Sequence, residues 1–263
     1  MDYKAEYKSV RERYSDAPAK FEETVQALYS AILHPGDVGV DCGAHVGKHT
    51  LPMARCVSPG GRVFAFEPIA EKLALLEAKA SSAGLIEVIT ARNCVVGDKP
   101  GRVTFNCVQA DPGKSSLYLR QDVIADERKM ATNVRRQLDM VRLDDCLPSG
   151  RPCRFMKIDV EGAELLVLEG ARRTIERDLP IIHFEMGSIC LKEFGAAPTD
   201  LWAFFAAREY VLTDILGNVL ASEPDFLQSE AASGLYDYVA LSPRSDVKVV
   251  AECAQRVFAG VTA

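Results

Sequence analysis

The sequence predicts an α/β fold: an open, mostly parallel sheet with helices on both faces. Three stretches predict it. Val38-Gly39-Val40-Asp41-Cys42-Gly43-Ala44-His45-Val46-Gly47 reads as a buried strand running into a glycine turn that opens a helix, with Gly47 on the first helical turn. Phe64-Ala65-Phe66-Glu67-Pro68 ends the next apolar strand on a carboxylate. Arg154-Phe155-Met156-Lys157-Ile158-Asp159-Val160-Glu161-Gly162-Ala163-Glu164 is an apolar strand ending in two acids, with a helix after it from Glu161. In such sheets the chemistry sits outside the carboxyl ends of the strands. Asp41, Glu67, Asp159 and Glu161 should therefore converge, the last two through the alternation of an extended chain.

The elements follow in order. Residues 1–34 are expected as a helical lid or edge segment, and residues 35–263 as the main domain. Tyr3, Tyr7, Val10 and Tyr14 recur at helical spacing. Pro18 suits the first turn of a second helix, striped by Phe21, Val25, Leu28 and Ile32. These helices either pack on the sheet edge or form a lid that brings a tyrosine to the substrate. After His34-Pro35-Gly36-Asp37 and the glycine corner, Arg62–Glu67 is the second strand. A helix striped by Ile69, Leu73, Leu76 and Ala80 ends at Gly84, and Glu87–Arg92 is a third strand. It delivers Asn93 and Cys94 to the same edge, where Asn93 either meets an adenine or caps a turn.

Val103-Thr104-Phe105 and Leu117-Tyr118-Leu119 alternate like short antiparallel strands. The densely charged stretch 120–137 is either a solvated excursion or a substrate gate. Leu165, Leu168, Ala171 and Ile175 stripe the helix after Glu161, with Gly170 where another element passes close. Pro180–Gly187 is a buried strand with His183 and Glu185 on one face. His183 reads either as a hydrogen-bonded structural residue or as a base, and Glu164 as a cap or salt-bridge partner. Trp202 belongs to the core or walls a pocket; Glu209–Ile215 and Leu235–Ser242 are the last strands, before a C-terminal helix.

Composition narrows the partners. The net charge of −6 argues against a nucleic-acid or anionic-membrane surface, and no apolar run reaches the ~20 residues of a membrane span. The eight cysteines form no C-x-x-C pair and read as free thiols in a reducing cytoplasm; the polar N-terminus has no apolar signal core.

The ligand follows from the first motif. Asp41-x-Gly43-x-x-x-Gly47 lacks the middle glycine of a dinucleotide fingerprint and puts a carboxylate where a pyrophosphate would be repelled. A carboxylate attracts an ammonium or a sulfonium, and S-adenosylmethionine (SAM) carries both. Glu67 is placed to accept the ribose hydroxyls. The cofactor-binding set is Asp41, Gly43, Ala44, His45, Gly47, Thr50, Glu67, Pro68, Asn93, Cys94 and Asp159.

Together, Val40–Gly47, Phe66-Glu67-Pro68, Arg142-Leu143-Asp144-Asp145 and above all Lys157–Glu164 resemble the FkbM-type SAM-dependent methyltransferases. That family commonly has Asn where His45 stands and an aromatic where His49 stands. The resemblance implies a Rossmann-like class I methyltransferase sheet of seven strands, the last hairpin partly antiparallel. It also implies O-methylation of a hydroxyl on a sugar, glycoside or polyketide-type metabolite. The expected partner is thus a small-molecule hydroxyl acceptor, with a homodimer also open. Asp159 or Glu185 is expected as general base and Glu161 as the group orienting the acceptor. Clustered carboxylates also suit Mg²⁺, but the cofactor accounts for them and no metal is assigned. The rivals are a nicotinamide oxidoreductase, disfavoured by Asp41, and a non-catalytic SAM-binding module, which would not need the acids after Ile158.

Overall fold

The computed structural model describes residues 8–10, 12, 17–233 and 236–259. Tyr3, Tyr7 and Tyr14, and with them the lid tyrosine, lie outside the described residues. The strands are β1 (Val38–Cys42), β2 (Arg62–Phe66), β3 (Ile89–Arg92), β4 (Val95–Val96), β5 (Gly101–Val108), β6 (Asn133–Val141), β7 (Cys153–Ile158), β8 (Ile181–Glu185), β9 (Val211–Asp214), β10 (Val219–Leu220) and β11 (Asp237–Leu241). The central sheet runs β10-β9-β11-β8-β7-β1-β2-β3. Strands β3, β2, β1, β7 and β8 are parallel, and β11 is antiparallel to both β8 and β9.

The sheet has eight strands, not the expected seven. The left-handed turn at Gly217 (φ +88°) folds Val219–Leu220 back on β9, and two residues are too short to show a strand period.

Alternation splits each central strand between two cores. Val40, Cys42, Phe66, Met156 and Ile158 face the helices Glu164–Gly170, Arg172–Asp178 and Pro198–Ala206. Val63, Ala65 and Phe155 face the helices Ala17–Ile32, Thr50–Val57, Ala70–Ser82 and Val249–Ala259. Trp202 packs on the first core beside Phe226. Gly170 does mark a close approach: a Cβ there would lie 2.0 Å from the Gly97 carbonyl oxygen.

The stretch after β3 departs most from expectation. A second sheet, β4-β6-β5, stands there, with Gly101–Val108 paired antiparallel to Asn133–Val141 along its whole length. Leu117-Tyr118-Leu119 is not a strand; a single bridge, Asn106 to Ser116, is all the pairing near it. Residues 120–137 are neither wholly solvated nor a bare loop, since they hold two short helices and the start of β6. Charges on β6 masked its strand period: it is the middle strand of this small sheet, yet of its nine residues only Met140 is buried.

Candidate functional site

A cavity of ≈ 520 Å³ opens at the carboxyl ends of β1, β2, β7 and β8, roofed by the second sheet and by residues 112–117. Asp41, Gly43, Ala44, His45, Glu67, Pro68, Cys94, Asp159, Glu161 and Glu185 all line it. Gly47, Thr50 and Asn93 do not. Gly47 (φ +83°) packs on Leu51 and Leu76, in a turn three residues before the helix begins at Thr50. Thr50 Oγ1 donates to Asp41 Oδ2 at 2.5 Å, and Asn93 Nδ2 donates to the carbonyls of Glu67 and Pro68. These two act on the wall from behind.

Backbone geometry shapes the cradle. The amides of Gly43 and Ala44 both donate to the Phe66 carbonyl at 3.0 Å, which pins the turn against β2. Gly43 has φ +82°, and a Cβ on it would lie 1.9 Å from the Asp159 carbonyl oxygen. Only glycine lets β1 and β7 hand over their loops this closely. His45 (φ +48°) and Glu161 (φ +57°) also sit in the left-handed region that bulky residues avoid. The strand ends at Ile158, so alternation does not place Glu161; the turn does, and it still brings Glu161 to the cavity. The following helix begins at Glu164 rather than Glu161. Glu164 Oε1 accepts from the amides of Val160 and Gly162, which holds this turn.

Sheet register supplies what strand patterns could not. Lys157 stands opposite Asp41 on β1 and His183 on β8. Its Nζ donates to Asp159 Oδ2 at 2.8 Å. Burial alone would lower the affinity of Lys157 for its proton, but Asp159 and Asp41 push it above its ordinary value. His183 Nε2 lies 2.9 Å from Asp237 Oδ1, within hydrogen-bonding distance.

The acids differ sharply. Burial works to raise Asp159, but Lys157 and a hydrogen bond with Glu185 hold it below the ordinary carboxylate range. Burial and then the charge of Asp159 push Glu185 far above that range. Burial and Asp159 thus favour the protonated form of Glu185, one of the two bases expected from strand-end position. Burial, then Asp159, push Glu161 up to about 7, against the Arg120 guanidinium 2.5 Å away. Burial raises Glu67 to about 6, although its two oxygens accept from the amides of His45 (2.8 Å) and Ile69 (2.7 Å).

A model of the methyltransferase FkbM domain matches residues 41–212. The chain belongs to the FkbM methyltransferase family. Methyltransferase sdnD of Sordaria araneosa is 29% identical over 154 residues, covering 50% of this chain and 59% of that protein. Methyltransferase 1 of Beauveria bassiana (strain ARSEF 2860) is 28% identical over 143 residues, covering 50% and 57%. The chain thus spans less than two thirds of the length of these relatives. Among solved structures, the FkbM methyltransferase of Methylobacillus flagellatus KT is 17% identical, with TM-score 0.47 over 91% of this chain and 60% of that one. The O-methyltransferase TomG of Streptomyces achromogenes, solved with SAM, is 9% identical, with TM-score 0.44 over 92% and 90%.

The cofactor of the FkbM family is SAM, and the cavity has the chemistry to take it. Asp41 Oδ1 is buried without a hydrogen-bond partner on the wall, an acceptor suited to a cation. The Gly43 cradle admits a ligand against the main chain, and Cys94, Val95, Val96 and Phe105 form an apolar slot beside Glu67. Glu22, Lys48, His49, Lys157, Ile69, Lys72 and Phe105 also line the cavity, beyond the residues picked out from sequence. Only Lys157 left a signal there: it shares a strand face with Asp159, two residues on.

Proposed function

We propose that this chain transfers a methyl group from SAM to a hydroxyl of a small molecule such as a sugar, glycoside or polyketide-type metabolite. The observation that carries the reading is Glu161, a cavity carboxylate raised to about 7 beside the ionised Asp159. An alcohol is a poor nucleophile until a base takes its proton, and the best-matched base titrates near the working pH.

In this reading Asp41, Gly43, Ala44 and His45 receive the methionine end, and Glu67 the ribose. Cys94, Val95, Val96 and Phe105 enclose the adenine. Bound SAM supplies a sulfonium-activated methyl group. Asp159 balances the positive charge, held in place by Lys157 and Glu185. Glu161 accepts the hydroxyl proton as the acceptor oxygen bonds to the methyl carbon, and the carbon–sulfur bond breaks to leave the neutral thioether. Leu117 and Ser115 of the roof exclude water from the acceptor side.

The test is single-turnover transfer of labelled methyl to a panel of hydroxylated acceptors. Glu161→Gln should slow transfer by about 10²-fold or more with little change in cofactor affinity. The parent rate should rise with pH through about 7 as Glu161 ionises, and the variant should lack that step. Wild-type transfer by Glu161→Gln rules out the assigned base. Titration heat with NAD and none with SAM rules out the function.

A further inference from the structure

The wall beneath helix Ala17–Ile32 holds more charge than adenosine recognition uses. Glu22 of this helix lines the cavity, with its Oε2 2.5 Å from His49 Nε2 and 3.2 Å from Lys48 Nζ. The His49 hydrogen bond, first, and the nearby cations hold Glu22 down to about 2, against its burial. Lys48 and His49 line the same cavity. On this wall two buried polar atoms lack any hydrogen-bond partner, Asp41 Oδ1 and His49 Nδ1, in side chains of residues 1% and 6% exposed. A buried polar atom left without a partner is costly, and a cavity wall that keeps two of them suits a ligand that completes it.

We infer that helix Ala17–Ile32 forms part of the cofactor site, Glu22 together with Asp41 taking the α-ammonium of the amino-acid end and Lys48 taking its α-carboxylate. The inference rests on SAM being the cofactor. Its physical basis is charge matching. The amino-acid end is a zwitterion with both charges on one carbon, and Glu22 and Lys48 present an anion and a cation 3.2 Å apart. An ammonium has three N–H donors, more than Asp41 Oδ1 alone can accept. The Glu22 and Lys48 side chains are 44% and 63% exposed, so both can turn from each other to a ligand, while His49 keeps Glu22 against the wall. Glu22 lies before the span of the family match, which begins at residue 41. This part of the site is therefore supplied by a segment outside the matched domain.

The experiment is calorimetric titration of the full chain with two probes. S-adenosylhomocysteine has the amino-acid end, and 5′-methylthioadenosine keeps the adenosine but lacks that end. Glu22→Gln should weaken S-adenosylhomocysteine about tenfold or more while leaving methylthioadenosine within about twofold. Lys48→Gln, at an exposed side chain, should act the same way and serves if Glu22→Gln does not fold. Equal losses for both probes, or unchanged S-adenosylhomocysteine affinity in a folded variant, overturn the inference and leave the cofactor reading intact. A parent chain that binds neither probe overturns both.

Discussion

Gly43→Ala probes the closest approach in the site. The residue has φ +82°, and an L side chain in the left-handed region costs roughly 1–2 kcal/mol. The added Cβ would lie 1.9 Å from the Asp159 carbonyl oxygen, whereas a carbon–oxygen contact settles at about 3.3 Å or more. More than an ångström of opening is therefore required between two main-chain segments. Neither has slack: the Gly43 and Ala44 amides are tied to the Phe66 carbonyl at 3.0 Å, and the Asp159 amide donates to the Cys42 carbonyl at 3.1 Å. Losing one such hydrogen bond adds about 1 kcal/mol, and the residual overlap adds to it, so the cost is about 3 kcal/mol. For a chain of this size that lowers Tm by roughly 6–12 °C. The same movement displaces Asp159, so S-adenosylhomocysteine affinity should fall with stability. Gly170→Ala is the control, with its Cβ 2.0 Å from the Gly97 carbonyl but away from the cavity. It should lower Tm and spare affinity. Scanning calorimetry and titration read both; a Gly43→Ala protein with parent Tm and parent affinity would refute the close-approach argument.

Glu67→Ala should weaken S-adenosylhomocysteine by roughly 1.5–3 kcal/mol in titration, because a charged acceptor is lost and the His45 and Ile69 amides lose theirs; undiminished affinity in a folded variant removes Glu67 from the site. Arg120→Ala removes the cation that restrains Glu161, so the pH profile of methyl transfer should move alkaline of its position near 7; an unmoved profile separates Glu161 from the base role. Glu164 titrates near 7 in the fold because of burial, against 4.5 ordinarily, so the native state binds its proton more tightly. Its contribution to stability is complete below pH 4.5 and is lost as pH rises through 7, so Glu164→Gln should gain about 3 kcal/mol relative to the parent between pH 4.5 and pH 8 in urea unfolding. A difference that does not vary with pH refutes this.

The parallel core was legible because its strands announce themselves twice, by apolar runs and by the turn or acid at each end. Val38–Cys42, Arg62–Phe66 and Cys153–Ile158 all fall where those signals put them. The second sheet was not legible, since β6 carries Arg135, Arg136, Gln137 and Asp139 and buries only Met140, so no apolar alternation marks it. Nor was the contribution of Glu22, because a carboxylate on an amphipathic helix reads as solvated until the helix is docked. Lys157 shows the deeper limit. Its face could be read from alternation, but its position opposite Asp41 depends on how β1 and β7 are aligned. Alignment between strands distant in sequence is set by the packing of both cores, and no local pattern encodes it.

That alignment explains how one sheet edge can hold so many acids and still give them different tasks. The sequence presents Asp41, Glu67, Asp159, Glu161 and Glu185 as a row of equivalent carboxylates. Buried together they could not all ionise, because each added negative charge raises the proton affinity of the rest. A buried ammonium, Lys157, is hydrogen-bonded to Asp159 and holds that acid below the ordinary carboxylate range. Glu185, next to it, is pushed far above the ordinary carboxylate range by burial and then by the charge of Asp159. Glu67 is held by two main-chain amides, which only partly offset its burial and leave it at about 6. Glu161 has Arg120, which arrives from the segment between β5 and β6 and is itself shared with Asp122. A shared, half-buried guanidinium offsets burial and Asp159 only in part, and the balance falls at about 7. The cavity thus has one carboxylate, Asp159, held low by Lys157, and another, Glu161, balanced near 7. The second sheet carries the segment that sets the difference, so loss of Arg120 should disturb proton transfer before it disturbs cofactor binding.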